Sequence, residues 1–198
     1  MRILFFLLAF AFMSASVPDQ DSQVIYQLVI HPASSITIAG STNVNKYKCV
    51  IPKYIGRDTL SLTAQRGKGA YFKKGLVKLE ASRFDCEKNV ITKDFAETIQ
   101  AKRHPYITIN FISFERVPEF KESEEPFRGK FTITLADVSV PCDIRCKIVK
   151  DKNNLIHLKG WHLFKFSDFE LEAPTKMMGL IKVEEMITVD FHLVLVQR

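Results

Sequence analysis

Apolar and polar residues alternate with a period of two through most of the chain. Ile107, Ile109 and Phe111 share one face while Thr108 and Asn110 take the other. Phe131, Ile133 and Leu135 alternate with Thr132 and Thr134. Ile156, Leu158, Gly160, His162, Phe164 and Phe166 alternate with His157, Lys159, Trp161 and Lys165. Near the end, Ile187, Val189, Phe191, Leu193 and Leu195 alternate with Thr188, Asp190 and His192. A strand that buries one face and wets the other belongs to an antiparallel sheet. Shorter runs of the same kind lie at Val24–Ile30, Ser35–Ala39, Lys46–Ile51, Thr59–Thr63, Leu76–Ala81 and Ile144–Val149. Turn residues separate them at Gly67-Lys68-Gly69, Glu124-Glu125-Pro126, Asp151-Lys152-Asn153-Asn154 and Ala173-Pro174.

One segment has helical spacing. Thr92 is placed to cap a turn that carries Phe95 and Ile99 at i and i+4, with Asp94 and Glu97 near its start, and His104-Pro105 ends it. Many strands with one short helix and no linker specify an all-β domain, either a sandwich or a closed barrel. Periodicity does not choose between them. The phenylalanines on apolar strand faces either fill a core or line a cavity, and filling a core is the simpler reading.

The first residues follow another rule. Met1-Arg2 is a positive start, Ile3 to Met13 is an unbroken apolar run, and Ser14-Ala15-Ser16 supplies small residues for cleavage. This is the pattern of a secretory signal peptide over residues 1–16, leaving a single domain over residues 17–198. The apolar run is too short to span a hydrocarbon core about 30 Å thick. The expected location is the periplasm or the secreted medium.

Composition agrees with one folded domain: 198 residues, 46% hydrophobic and 25% charged, with sixteen Phe against one Trp. The formal net charge is +6, but the lysines are spread along alternating strands and turns, which reads as solvated faces. A nucleic-acid partner is not expected in an exported protein, and at most a weak contact with an anionic membrane surface follows from this charge.

Four cysteines remain: Cys49, Cys86, Cys142 and Cys146. Cys142 and Cys146 share a strand face four residues apart, roughly 13 Å along an extended strand, beyond the reach of a disulfide. Cys49 and Cys86 lie on separate strands and are the expected bridge in an oxidising compartment, with four buried thiols as the alternative. The pairing of Cys142 and Cys146 is left open. No CxxC pair, HExxH or matching His spacing marks a metal site, and no GxSxG or phosphate loop marks an enzyme. His162 is the ionisable residue on a strongly apolar face, either a core histidine with a neighbour or the polar anchor of an apolar pocket.

Several segments in order carry a family resemblance: Ser35-Ile36-Thr37-Ile38-Ala39-Gly40 with Asn43-Val44-Asn45-Lys46-Tyr47-Lys48-Cys49, then Ser82-Arg83-Phe84-Asp85-Cys86, Thr92-Lys93-Asp94-Phe95, and His104-Pro105-Tyr106-Ile107-Thr108-Ile109-Asn110-Phe111. Gly129-Lys130-Phe131-Thr132-Ile133-Thr134-Leu135, Phe166-Ser167-Asp168-Phe169 and Pro174-Thr175-Lys176-Met177-Met178-Gly179-Leu180-Ile181-Lys182-Val183 complete the set. The chain resembles the YceI-like family of exported lipid- or polyisoprenoid-binding proteins over about Val24 to Val196. The resemblance implies an antiparallel up-and-down, lipocalin-like β-barrel of about eight strands with one short helix near a mouth. It implies an apolar lipid ligand, a polyisoprenoid or a quinone-type lipid, no other cofactor, and no enzymatic activity. The lining would then be Ile107, Ile109, Phe111, Phe131, Ile133, Leu135, His162, Phe164, Phe166, Val189, Phe191 and Leu193. Cysteines at the positions of Cys49 and Cys86 resemble one branch of the family. Leu135-Ala136-Asp137-Val138 departs from the usual Leu-Ala-Gly-Val turn. Two roles stay open: a carrier, storage or envelope-stress protein that holds a lipid, or an accessory envelope protein with a packed barrel and a protein partner.

Overall fold

The computed structural model describes residues 23–65 and 69–198, so the expected signal peptide and the centre of the Gly67-Lys68-Gly69 turn lie outside the described residues. The chain order is β1 (Gln23–Ile30), β2 (Ser35–Ser41), β3 (Lys46–Ile51), β4 (Thr59–Gln65), β5 (Gly69–Lys74), β6 (Leu76–Glu80), α1 (Asn89–Thr98), β7 (Tyr106–Phe114), β8 (Glu125–Leu135), β9 (Val138–Lys150), β10 (Ile156–Lys165), β11 (Thr175–Lys176), β12 (Ile181–Lys182) and β13 (Met186–Gln197). Every pairing is antiparallel.

Three pairs of short strands behave as single broken strands. β1 and β2 run one after the other along the same edge of β13, with Ile30 opposite Leu195 and Ser35 opposite His192. β4 pairs β1 and β3 pairs β2, so β3 and β4 form a second broken strand. β5 and β6 both pair β7 and are interrupted at Gly75. The order is then β1/β2, β3/β4, β5/β6, β7, β8, β9, β10, β13 and back to β1: a closed up-and-down barrel of eight positions. This resolves the choice between sandwich and barrel. Closure leaves no free edge along the ring, which removes the unpaired backbone that an open sheet exposes.

Alternation places side chains as expected. On β8 and β9 the register sets Phe127 opposite Cys146 and Phe131 opposite Cys142, all facing inward. A bulge between Phe111 and Ser113 lets Ile112 point to solvent and returns Phe114 to the core. Two inward glycines make room for rings: a Cβ on Gly160 would meet the Phe191 ring, and one on Gly129 would meet the Phe131 ring. Phe111, Phe131 and Phe191 therefore pack in series across the barrel, the first pair edge-on and the second tilted, with centroids 4.8 and 6.0 Å apart. One end of the barrel is sealed by Leu60, Leu62, Ile148, Ile156, Leu158, Leu193 and Leu195, all within 1% of full burial, and Phe120 caps it edge-on against Tyr26 at 5.3 Å.

Three local expectations are corrected. The helix begins at Asn89, not beyond Thr92, and has no side-chain cap. Thr92 lies inside it and accepts a bond from the Cys86 N–H at 3.0 Å, because its hydroxyl has a partner in the preceding loop. Strand β10 stops at Lys165; Phe166–Phe169 forms a 3-10 turn, held by the Asp168 carboxylate accepting from the Lys165 N–H at 2.7 Å. Glu125 and Pro126 belong to β8 rather than to a turn. The departure at Ala136-Asp137 is a two-residue hairpin turn with Leu135 opposite Val138, and both residues adopt left-handed φ, 48° and 65°.

His157 and His192 lie on the outer face, as alternation requires, yet both are half-buried. Their rings share a hydrogen bond at 2.8 Å, and His157 contacts Asp151 at 3.2 Å. Burial lowers the His192 imidazole below its ordinary value, and His157 and Lys159 push the same way. Burial also lowers His162, against the opposing pull of Asp168 and Asp143. A histidine depressed in the folded state takes its proton first in the unfolded chain, so stability is lost as pH falls through the unfolded value and is intact above it. The urea midpoint is expected to fall between about pH 7 and pH 5, with a shallower fall in His192→Gln. Equal pH slopes in the two proteins would rule this out for His192.

Candidate functional site

The open end of the barrel is built from three pieces that the sequence keeps far apart. The first is the β2–β3 hairpin, where the Thr42 hydroxyl accepts from the Val44 and Asn45 N–H groups at 3.1 and 2.9 Å and shapes the turn. The second is the β11–β12 hairpin. Asn43 joins the two: its side chain donates to the Leu180 carbonyl and accepts from the Lys182 N–H, both at 2.9 Å. The third is α1, which lies across the opening.

Two devices hold α1 in place. Cys49 on β3 and Cys86 before the helix form a disulfide, and Val50 and Asp85 exchange both backbone hydrogen bonds beside it, at 2.8 and 3.0 Å. The expected bridge is therefore present. On the other side, the Asp94 carboxylate pairs with the Lys176 ammonium at 2.7 Å, linking α1 to the β11–β12 hairpin. The carboxylate raises the Lys176 ammonium above its ordinary value.

These pieces enclose a cavity of about 460 Å³. Val44 and Tyr47 come from the first hairpin, Val90, Ile91 and Phe95 from α1, and Met177, Ile181 and Val183 from the β11–β12 region. Phe166 lines its inner wall, and Asp94 and Lys176 are its charged groups, already paired with each other. Burial raises the Tyr47 phenol, which packs over Gly40 on the neighbouring strand. An apolar concavity of this size with few polar groups suits a small apolar ligand.

The twelve expected lining residues all lie on inward faces, at different depths. Phe166 borders the cavity. His162, Ile133 and Val189 remain half-buried; the His162 ring stands 4.6 Å from that of Phe164. Ile107, Ile109, Phe111, Phe131, Leu135, Phe164, Phe191 and Leu193 are buried in the packed interior. Cys142 and Cys146 also face inward as free thiols, and burial pushes them up to about 11 and about 12, so neither is a thiolate at neutral pH.

Sequence reasoning missed the cavity's own walls. Val44 and Met177 sit in turns, Val90 on a helix and Ile181 on a two-residue strand, where no period-two pattern marks an inward face. The available signal was an apolar run in a turn, Met177-Met178-Gly179-Leu180-Ile181, where polar residues are usual. A second concavity, about 620 Å³, lies on the outer face over β8, β9, β10, β13 and β2. It gathers Arg128, Arg145, Lys147 and Lys159 around Trp161, with Glu115 and Asp190 in the same lining, so charged residues that read as scattered in sequence share one surface. No group of His, Cys, Asp and Glu among the described residues is arranged to hold a metal ion.

An eight-position lipocalin-like barrel with an apolar mouth under a short helix is the class that this geometry defines. The fold is that of the YceI-like barrels, in agreement with the resemblance seen in the sequence. The BcnA structure from Burkholderia cenocepacia superposes with a TM-score of 0.59 at 14% identity, covering 81% of this chain and 95% of that one. A polyisoprenoid binding domain from Saccharophagus degradans gives 0.59 at 11% identity over 85% and 97%. A mutant YceI protein of Campylobacter jejuni gives 0.51 at 19% identity over 70% and 80%. No family model matches the chain, and no curated protein matches it.

Proposed function

We propose that this protein is an exported, non-enzymatic carrier that holds the hydrocarbon part of an isoprenoid or other long-chain lipid in the mouth cavity. The observation that carries this reading is the cavity itself: about 460 Å³, walled by apolar side chains from three separate elements, with its two charges neutralising each other. The described polyisoprenoid-binding role of the Saccharophagus domain, which shares the fold, supports the same reading. The disulfide suits an oxidising compartment and so supports export.

The packed interior below the mouth sets the depth to which a chain can enter. Each buried five-carbon unit contributes at most about 4 kcal/mol, at roughly 0.8 kcal/mol per carbon, and association removes several kcal/mol of it. Affinity for prenyl alcohols of increasing length should therefore rise and then level off once the cavity is full. Titration with such a series measures this, and organic extraction of purified protein followed by mass spectrometry identifies any resident lipid. Affinity indifferent to chain length would remove the carrier reading in favour of a packed accessory barrel with a protein partner, a role that the tightly filled lower core would also serve.

A further inference from the structure

The rim of the mouth is unusually apolar on its outside. Among the described residues, the five most exposed large hydrophobic side chains are Met178 at 104%, Val90 at 71%, Leu180 at 69%, Met177 at 65% and Val44 at 64%. All five belong to the three elements that frame the cavity, and Val44, Val90 and Met177 also line it. The exposed apolar residues of the rim thus adjoin the apolar part of the cavity wall. Scattered exposed hydrophobics are ordinary, but a cluster of them around one opening marks an interaction surface.

The backbone holds the tip outward. Met177, Met178 and Gly179 take consecutive left-handed φ values of 52°, 53° and 89°, and no atom lies within 4 Å of where a Cβ on Gly179 would stand. Asn43 ties this hairpin to its neighbour, so the projecting turn rests on a fixed base. Lys176 and Lys182 flank the turn, and Lys46, Lys88 and Lys93 are exposed on the adjoining elements. An apolar tip flanked by ammonium groups, with Glu87, Glu97 and Glu184 exposed nearby, matches the order of chemistry met on entering an anionic bilayer: phosphate and other headgroup anions outside, acyl chains within.

We propose that the Met177–Leu180 tip, with Val44 and Val90, docks the open end of the barrel into the interface of an anionic lipid bilayer, so that an apolar ligand passes between membrane and cavity without crossing water. This rests on the carrier reading for its purpose, but membrane docking is measurable by itself. Lys176 is held by Asp94 at the mouth and Lys93 pairs with Glu97 along α1, so among the described residues Lys182, Lys46 and Lys88 are the cations placed to meet headgroups. Docking should therefore weaken as salt rises, because exposed charges are screened over about 8 Å at physiological ionic strength.

The test is flotation of the mature protein with vesicles of phosphatidylcholine alone and with about one third phosphatidylglycerol, a content high enough to give a strongly negative surface. Binding to the anionic vesicles is expected, with a loss of roughly tenfold or more in the double variant Met178→Ser/Leu180→Ser and a smaller loss in Lys182→Gln. A Met178→Trp variant should show blue-shifted emission on binding and quenching by brominated acyl chains. Neither Met178 nor Leu180 lines the cavity, so the double variant should still take up a prenyl alcohol presented in detergent while losing transfer from vesicles. Equal flotation of wild type and double variant, or an unquenched Trp, would overturn the proposal. So would self-association of the wild type that the double variant abolishes without any vesicle binding, since the rim would then serve a second copy of the chain. If vesicles bind but no prenyl alcohol does, docking stands and the carrier reading fails.

Discussion

Without the Cys49–Cys86 bridge, the barrel is expected to lose about 3–4 kcal/mol of stability, the loop-closure entropy of a 37-residue span. Both cysteines are at most 2% exposed, and the bridge lies where α1 is attached to β3. Reduction would restore freedom to the unfolded chain and also release the entry of the helix. The Val50–Asp85 hydrogen bonds remain, so the cavity roof should loosen before the barrel wall does. For a domain of this size the loss corresponds to a fall of roughly 10 °C in Tm. Urea or thermal unfolding of Cys49→Ala/Cys86→Ala beside the oxidised protein measures it. Identical midpoints, or free thiols at both positions in exported material, would refute the expectation.

The second large effect concerns the cavity wall. Ile91→Asp would place a carboxylate on the face of α1 that lines the mouth, where the ligand's hydrocarbon would otherwise lie. Covering an unpaired carboxylate costs several kcal/mol, and even 3 kcal/mol of it would reduce affinity by about 100-fold. Ile91 is only partly buried, so the empty protein keeps that carboxylate in contact with water and should fold. Leu163→Asp is the control, since Leu163 is exposed on the outer face of β10. Circular dichroism checks folding in both. Equal affinities for a long prenyl alcohol in the two variants would exclude the mouth as the ligand site.

These two effects separate the parts of the molecule that differ in origin. The wall of the barrel and its inward faces follow from local alternation, because a strand with one wet and one dry face has only one way to point its side chains. That is why Phe111, Phe131, Phe164 and Phe191 were placed inward from sequence and are found there. Cys142 and Cys146 likewise lie on one inward face, too far apart along β9 to pair.

Tertiary structure alone decided three things. Whether the strands close is a property of the whole ring: β1 and β2 share one edge of β13 around the His31–Ser34 break, which no local pattern reveals. Which inward residues pack and which border space depends on neighbours across the barrel, as where Gly160 and Gly129 admit the Phe191 and Phe131 rings. The mouth is the clearest case. Its walls come from two hairpins and a helix up to 139 residues apart, joined by Asn43 to Lys182, by Asp94 to Lys176 and by one disulfide. Strand periodicity carries information about a residue's own face and nothing about the loops that meet above it. The sequence by itself determined the long strands and their dry faces, though not β5, β11 or β12; the meeting of the loops above them created the cavity.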